Sequence, residues 1–300
     1  MLKSVAPLAI IPALFLSTVA VPPGAEAAAE VRFESRVQVA PGLDYGTATI
    51  AGAPVHILTA RIASGKLRVR PFVSEERSTT QAQAGQAGCL AAVNAGYFNM
   101  SDGVSTSFVT IGGEQVCDPR TNKALIENPK LKPFLDQIFK RSEIRFLQSE
   151  DGTISACISA HDAPVPEGKK IVDAMQGGPQ LLPEITSVPE AFIRDESGKM
   201  ADSIGTAARA ARTAIGINKR GDVIIVCVAG GKKREFQRGV NLKTMAEIMA
   251  RLGCVSALNL DGGTSTTMVV ARSGKTSELD PVCSWEPQRE VKSIIGIVEP

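Results

Sequence analysis

Asn241-Leu-Lys-Thr-Met-Ala-Glu-Ile-Met-Ala-Arg-Leu-Gly-Cys-Val-Ser-Ala-Leu-Asn-Leu-Asp-Gly-Gly-Thr-Ser-Thr-Thr-Met268 reads as an amphipathic helix, a short apolar strand, and a carboxylate set in a glycine and hydroxyl turn. Leu242, Met245, Met249 and Leu252 recur at helical spacing, with Asn241 placed to cap the start and Gly253 to supply a left-handed stop. Such an apolar stripe has to lean on a sheet. Val255 to Leu260 is too short and too apolar for a second helix, so it is expected as a buried strand delivering Asp261 at its carboxyl end, where ligand sites of α/β sheets gather. Gly262 and Gly263 permit close approach of backbone or ligand. Thr264, Ser265, Thr266 and Thr267 offer four hydroxyls on a segment whose amides are candidates for binding an anion. The plain alternative is a tight turn whose Asp caps its own backbone. The apolar strand before it and the hydroxyl run after it favour a site.

Outward from this stretch the chain repeats the pattern of strand opening into a polar loop. Cys89 to Val93 reads as a buried strand ending at Asn94-Ala-Gly-Tyr-Phe-Asn99, and Arg212 to Ile217 as a strand joined through Asn218-Lys-Arg-Gly221 to Val223–Val228. A hairpin is expected around Glu150-Asp-Gly152 and a pair of strands around Ala63-Ser-Gly65. Further strands are expected at Phe108 to Ile111, Gln115 to Cys117 and Val291 to Val298, and helices at Thr80 to Gly88 and Pro133 to Arg141. Many strands and few helices, without regular βα alternation, predict an α+β fold: a strand-rich, mixed β-sheet core with a few packed helices.

Met1 to Ala27 has Lys3, an apolar run from Ala6 to Val21, and Ala25-Glu-Ala27 in the small-x-small pattern of a cleavage site, and is expected to be a secretory signal peptide. Residues 28–53 are expected as an N-terminal arm and 54–300 as the functional domain. No later segment is long and apolar enough to span a membrane. Export to a secreted, periplasmic or otherwise extracytoplasmic site would bring six cysteines into an oxidising compartment, so at least two disulfides are expected. No Cys/His cluster has zinc spacing, one acidic residue at the loop is too few for calcium, and no cofactor or metal is expected. A net charge of +2 argues against a nucleic-acid partner, and one Trp with two Tyr argues against a broad platform of stacked rings, so a sugar would be held mostly by polar groups.

Four motifs in order, Val93-Asn-Ala-Gly-Tyr-Phe98, Gly177-Gly-Pro-Gln-Leu-Leu182, Arg212-Thr-Ala-Ile-Gly216 and Ala257-Leu-Asn-Leu-Asp-Gly-Gly-Thr-Ser265, resemble the phosphodiester glycosidases, the family that includes the uncovering enzyme. The resemblance runs from about Pro54 to Val298. It implies a secreted or lumenal hydrolase that releases a sugar from a glycosyl phosphodiester at the anomeric carbon. It also implies that Asn94, Gly177, Gly178, Arg212, Asp261, Gly262, Gly263 and Ser265 line the site, and Thr264, from the hydroxyl run, is expected to bind substrate beside them. The chain departs from the family where Asp-Gly-Arg is common, having Gly230-Gly231-Lys232; where a Ser is common, having Arg238; and at the third Gly of the Asp-Gly-Gly-Gly loop, which is Thr264.

Glycosyl transfer passes through an oxocarbenium-like state. A phosphomonoester leaves readily, so the chemistry asks chiefly for a cation on the phosphate and a carboxylate near the sugar. Arg212 is the expected cation, because its planar fork matches phosphate oxygens. A salt-bridging arginine is the alternative. Asp261 is the expected carboxylate, as nucleophile, base or cation-stabilising charge. Asn94 is expected to orient the sugar or Asp261, or to stabilise a turn. Ser265 has no placed His or Lys to activate it and reads as a binding hydroxyl. Lys232, Lys233, Arg234 and Arg238 form a basic run that either draws in an anionic glycan or is a solvated charged face. Beside the enzyme stands a second reading, an idle envelope protein of the same fold that binds anionic glycan.

Overall fold

The computed structural model describes residues 31–230, 236–272 and 275–300. The leader reading at Met1–Ala27 and the basic residues Lys232, Lys233 and Arg234 lie outside the described residues.

Strands dominate, arranged in a seven-stranded sheet, two five-stranded sheets and a two-stranded ribbon. The seven-stranded sheet runs Ser35–Ala40, Leu43–Ile50, Ala53–Ala60, Val223–Val228, Arg212–Asn218, Cys254–Asn259, Gln180–Leu182. Its centre is apolar on both faces because alternate side chains enter different cores. Ile215, Val223, Ile225 and Leu258 point into the main core, whereas Ala214, Ile224, Val226 and Val228 meet the helix Leu242–Arg251 on the other side. That helix buries Leu242, Met245, Ala246, Ile248 and Met249, and Asn241 caps it by accepting from the Thr244 amide at 2.8 Å. Gly253 follows at φ +83°, the left-handed stop expected from the sequence.

The first five-stranded sheet runs Glu114–Cys117, Val109–Ile111, Lys169–Gln176, Ser142–Ser149, Ile154–Ala160. The second runs Lys275–Ser284, Thr267–Arg272, Ala91–Asn94, Glu290–Val298, Arg68–Thr79. Phe146 and Met175 from one and Val93, Ile294 and Ile295 from the other join the main core, so the three sheets share a single packed interior.

Every named strand pairing among the described residues is antiparallel, so the sheets are not of mixed type. Ala53–Ala60 and Arg68–Thr79 both form, yet they do not pair with each other: the first joins Val223–Val228 and the second Glu290–Val298. Residues 35–50 of the expected arm supply two strands, and Leu43–Ile50 pairs along the whole of Ala53–Ala60. Turn residues between two strands mark a reversal, but partner choice rests on contacts distant in sequence. All six cysteines are free, with Cys89, Cys227, Cys254 and Cys283 buried, so the expected disulfides are absent. Those four serve as small apolar side chains of the core, Cys227, Cys254 and Cys283 on separate strands and Cys89 just ahead of Ala91–Asn94. Among the described residues, no helix is long and apolar enough to cross a membrane.

Candidate active site

The three sheets bring loop-bearing strand ends together. Asn94 ends Ala91–Asn94, Gly177 and Gly178 follow Lys169–Gln176, and Asp261 comes two residues after Cys254–Asn259. Asn94 is fully buried and joins the three segments around it. Its Oδ1 accepts from Thr213 Oγ1 at 2.8 Å and from the Thr267 amide at 3.1 Å, while Nδ2 donates to the Asp261 carbonyl at 2.6 Å. The Asp261 amide in turn donates to Ala95 O at 2.9 Å, so the backbone of Asp261 is gripped on both sides. Asn94 thus positions the carboxylate-bearing loop rather than capping its own turn.

The Asp261 carboxylate accepts from the Gly262 amide at 2.9 Å and from the Ser265 hydroxyl. Burial nevertheless dominates and pushes its pKa up to about 6, with Ser265, Gly262 and the charge of Arg289 pulling the other way. An Asp near 6 exchanges its proton close to neutral pH, a range suited to a general acid or base, and is largely ionised above it. Gly262 and Gly263 let the loop lie flat on its neighbour. A Cβ on Gly262 would stand 2.8 Å from Ala211 O, the same carbonyl that accepts from the Gly263 amide at 2.8 Å. Thr264 and Ser265 complete a single 3-10 turn, Gly263–Ser265.

A second wall is built around Gly178, at φ +114°. A side chain there would run into Glu190 Oε2 and the Phe192 ring, and one on Gly177 would stand 2.8 Å from Asn259 O. Both glycines therefore answer to close packing. Tyr97 donates its hydroxyl to Gly178 O at 2.8 Å and accepts from Asn259 Nδ2 at 2.8 Å. Burial, with the nearby charge of Asp261, keeps that phenol protonated well above its usual range. Glu190 holds the wall from behind, accepting from Ser142 Oγ at 2.8 Å, the Gln180 amide at 3.2 Å and Thr186 Oγ1. Arg141 lies 3.7 Å over the Phe192 ring and donates to Glu190 O at 2.8 Å.

Arg212 is placed differently from its expected role. It is 3% exposed, and its guanidinium donates to four backbone carbonyls: Val240 at 3.1 Å, Ile204 at 2.9 Å, Gly205 at 2.5 Å and Ala208 at 3.0 Å. That geometry fastens segments 204–208 and 240 to the sheet and leaves no fork for a phosphate. The hydroxyl run is likewise no anion nest. The amides of Gly262, Gly263, Ser265, Thr266 and Thr267 all donate within the protein. A cation the sequence reading did not single out is Arg289, half-buried, within electrostatic reach of Asp261 and donating to the Met100 sulfur at 3.1 Å. A thioether is a weak acceptor, so this guanidinium keeps most of its donors for a ligand. Tyr97 had a signal, its place in the Val93–Phe98 motif; Arg289 had none, since its loop resembles any surface turn. Gly230 stands beside the site's flank, its amide donating to Phe236 O at 2.9 Å, and supplies no carboxylate there.

The phosphodiester glycosidase family model matches residues 87–298. N-acetylglucosamine-1-phosphodiester α-N-acetylglucosaminidase from Bos taurus is 25% identical over 235 residues, which cover 76% of this chain and 40% of that protein. The Homo sapiens protein of the same name is 24% identical over 237 residues, 76% of this chain and 41% of its own length. The chain therefore spans about two fifths of the curated relatives it matches. Among solved structures, the catalytic domain of the zebrafish protein of that name superposes with a TM-score of 0.60 at 20% identity, covering 90% of this chain and 88% of that one. A hypothetical protein from Synechocystis gives 0.62 at 16% identity, covering 89% and 64%. With four motifs in order and a family match over most of its length, this chain belongs to the phosphodiester glycosidase family.

Proposed function

We propose that the protein hydrolyses a glycosyl phosphodiester at the anomeric carbon, with Asp261 as the reacting carboxylate and Arg289 on the phosphate. The observation that carries this reading is the pair itself: a carboxyl with a pKa of about 6 within electrostatic reach of a half-buried guanidinium that donates to a thioether. The cation neutralises the phosphate in the substrate and stabilises the monoester as it leaves, so the leaving oxygen needs little protonation. Asp261 in its ionised form stabilises or attacks the developing oxocarbenium centre. Asn94 and the Asp261 amide contact to Ala95 fix the carboxylate relative to the Gly178 wall, which with Tyr97 limits how the sugar can lie. The names of the relatives support N-acetylglucosamine as the first sugar to try. The Met1–Ala27 pattern supports export, whereas the six free thiols give export no support.

The test is release of sugar from N-acetylglucosamine 1-phosphodiesters by wild-type protein and by Asp261→Asn. Turnover by the first and a loss of about 10²-fold or more in the second, at similar affinity, supports the reading. Gly230, where the family commonly carries Asp, favours the idle glycan-binding reading. Tight binding of the diester by both proteins with no sugar released would establish it instead.

A further inference from the structure

The chain carries seven methionines, and the described ones divide by exposure. Met175, Met245, Met249 and Met268 are buried in the cores, whereas Met100 is 54% exposed and Met200 64%. Met200 begins a strand of the two-stranded ribbon, Met200–Asp202. Met100 belongs to the site. The loop that leaves Asn94 and holds the Asp261 amide through Ala95 O runs on through Tyr97 and Asn99 to Met100. Its sulfur accepts from an Arg289 guanidinium nitrogen at 3.1 Å, and the charge of Arg289 reaches Asp261.

The loop fixes that side chain in place. Met100 O accepts from Arg77 Nη1 at 3.0 Å, the Asn99 amide donates to Val104 O at 2.9 Å, and the Gly103 amide returns to Asn99 O at 2.9 Å. Gly103 sits at φ +72°, and a Cβ there would stand 3.2 Å from the Arg77 stem, so that arginine packs across the turn as well as bonding to it. Met100 therefore presents a side chain open to solvent whose sulfur meets Arg289.

Oxidation would change the strength of that contact. A thioether is a weak acceptor, so in the reduced protein it steadies Arg289 without holding it firmly. A sulfoxide is polar, and its oxygen carries negative charge that a neighbouring guanidinium answers with a charge-assisted hydrogen bond. We propose that Met100 is a redox modification site: a peroxide oxidises the thioether to the sulfoxide, and the new oxygen takes up the Arg289 guanidinium. This rests on the reading that Arg289 binds the substrate phosphate. A sulfur lone pair attacks a peroxide oxygen, the O–O bond breaks as the S–O bond forms, sulfur loses two electrons, and hydrogen peroxide leaves as water. Arg289 keeps its charge, but its donors are drawn to Met100 and phosphate binding weakens. A methionine sulfoxide reductase supplied with a dithiol reverses the step, the dithiol becoming a disulfide and the oxygen leaving as water.

The test uses the full chain, with Met200 as the exposed methionine that lies on the ribbon. After brief treatment with hydrogen peroxide, peptide masses should gain one oxygen at Met100 and Met200 and none at the four buried methionines. Affinity for inorganic phosphate, read by titration calorimetry, should fall about tenfold, and KM for an N-acetylglucosamine 1-phosphodiester should rise by a similar factor with kcat little changed. Reductase should restore both. Met200→Leu should respond to peroxide as wild type does, whereas Met100→Leu, measured against its own untreated state, should lose no affinity. Met100→Leu keeps all six cysteines, so a loss that persists in it assigns the effect to a thiol and overturns the proposal. Unchanged phosphate affinity and KM with Met100 fully oxidised overturns it as well. Without any ligand, Arg289→Gln should move the Met100 methyl resonance and leave that of Met200 in place; a Met100 signal indifferent to it removes the contact and the proposal with it. If untreated protein turns over no phosphodiester yet loses phosphate affinity on oxidation of Met100, the glycosidase reading fails and the modification site stands. Untreated protein that neither binds phosphate nor turns over a diester overturns both.

Discussion

Asn94 and Asp261, 167 residues apart in sequence, are joined by a 2.6 Å hydrogen bond from the Asn94 amide to the Asp261 backbone carbonyl. Through it the strand end of one sheet sets the position of the carboxylate carried by another. Asn94→Ala removes this bond and leaves the buried Thr213 hydroxyl and Thr267 amide without their acceptor. Stability should fall by about 2–4 kcal/mol in urea unfolding. Asn94→Asp keeps the acceptor oxygen but cannot donate when ionised, so it should retain more of the fold while still losing turnover. A variant with normal kinetics and normal stability would end this account of Asn94.

Asp261 should cost the protein stability in exchange for its chemistry. The folded state keeps the proton up to about 6, whereas an ordinary Asp releases it near 3.8. Between those values the native state binds more protons than the unfolded one, so stability falls as pH rises and stays low above about 6. Asp261→Asn should therefore stabilise the fold at pH 7.5 by on the order of 1–3 kcal/mol, seen as a raised Tm, with the gain shrinking as pH drops toward 4. Turnover by wild type should fall as pH drops through about 6, because the ionised form does the work. Thermal melts across this range, run beside rate measurements, check both signs.

The two arginines should separate cleanly. Arg289→Gln should weaken binding and turnover of phosphodiesters, leave a neutral aryl glycoside nearly unaffected, and move the acid limb of the rate profile to higher pH, since a charge that lowers the Asp261 pKa is gone. Arg212→Met should instead strip four carbonyls of their buried donor and destabilise the fold by about 3 kcal/mol or more. If Arg212→Lys selectively raises KM for phosphodiesters with Tm intact, the assignment of phosphate to Arg289 is wrong.

Thiol titration should count six reactive cysteines in denaturant and far fewer in the native protein. Burial pushes Cys89, Cys254 and Cys283 up to about 12 and Cys227 upward as well, so almost no thiolate is available at pH 8. Cys117 and Cys157, only half-buried, should label first. Tm should not change with reductant. A lower Tm in dithiothreitol would point to disulfides formed in solution and would restore the oxidising compartment expected from the leader.

The stretch from Asn241 to Met268 was legible as helix, strand and carboxylate loop because each part depends on its own residues: the Asn241 cap, the apolar stripe, the Gly253 stop and the short apolar strand. The strand-rich class and the membership of Asn94, Gly178 and Asp261 in ordered motifs were equally readable in the chain. Which strands pair was not, since Ala53–Ala60 and Arg68–Thr79 carry no local mark that sends them to different sheets. The assignment of cation also lay beyond it. Arg212 stands in a family motif yet is consumed by four carbonyls, and Arg289 stands in an ordinary loop yet lies within electrostatic reach of the carboxylate. A guanidinium is chemically the same in both places. Only the tertiary packing decides whether its donors are spent on backbone or left for a ligand, because hydrogen-bond partners and burial are set by contacts between residues far apart in sequence.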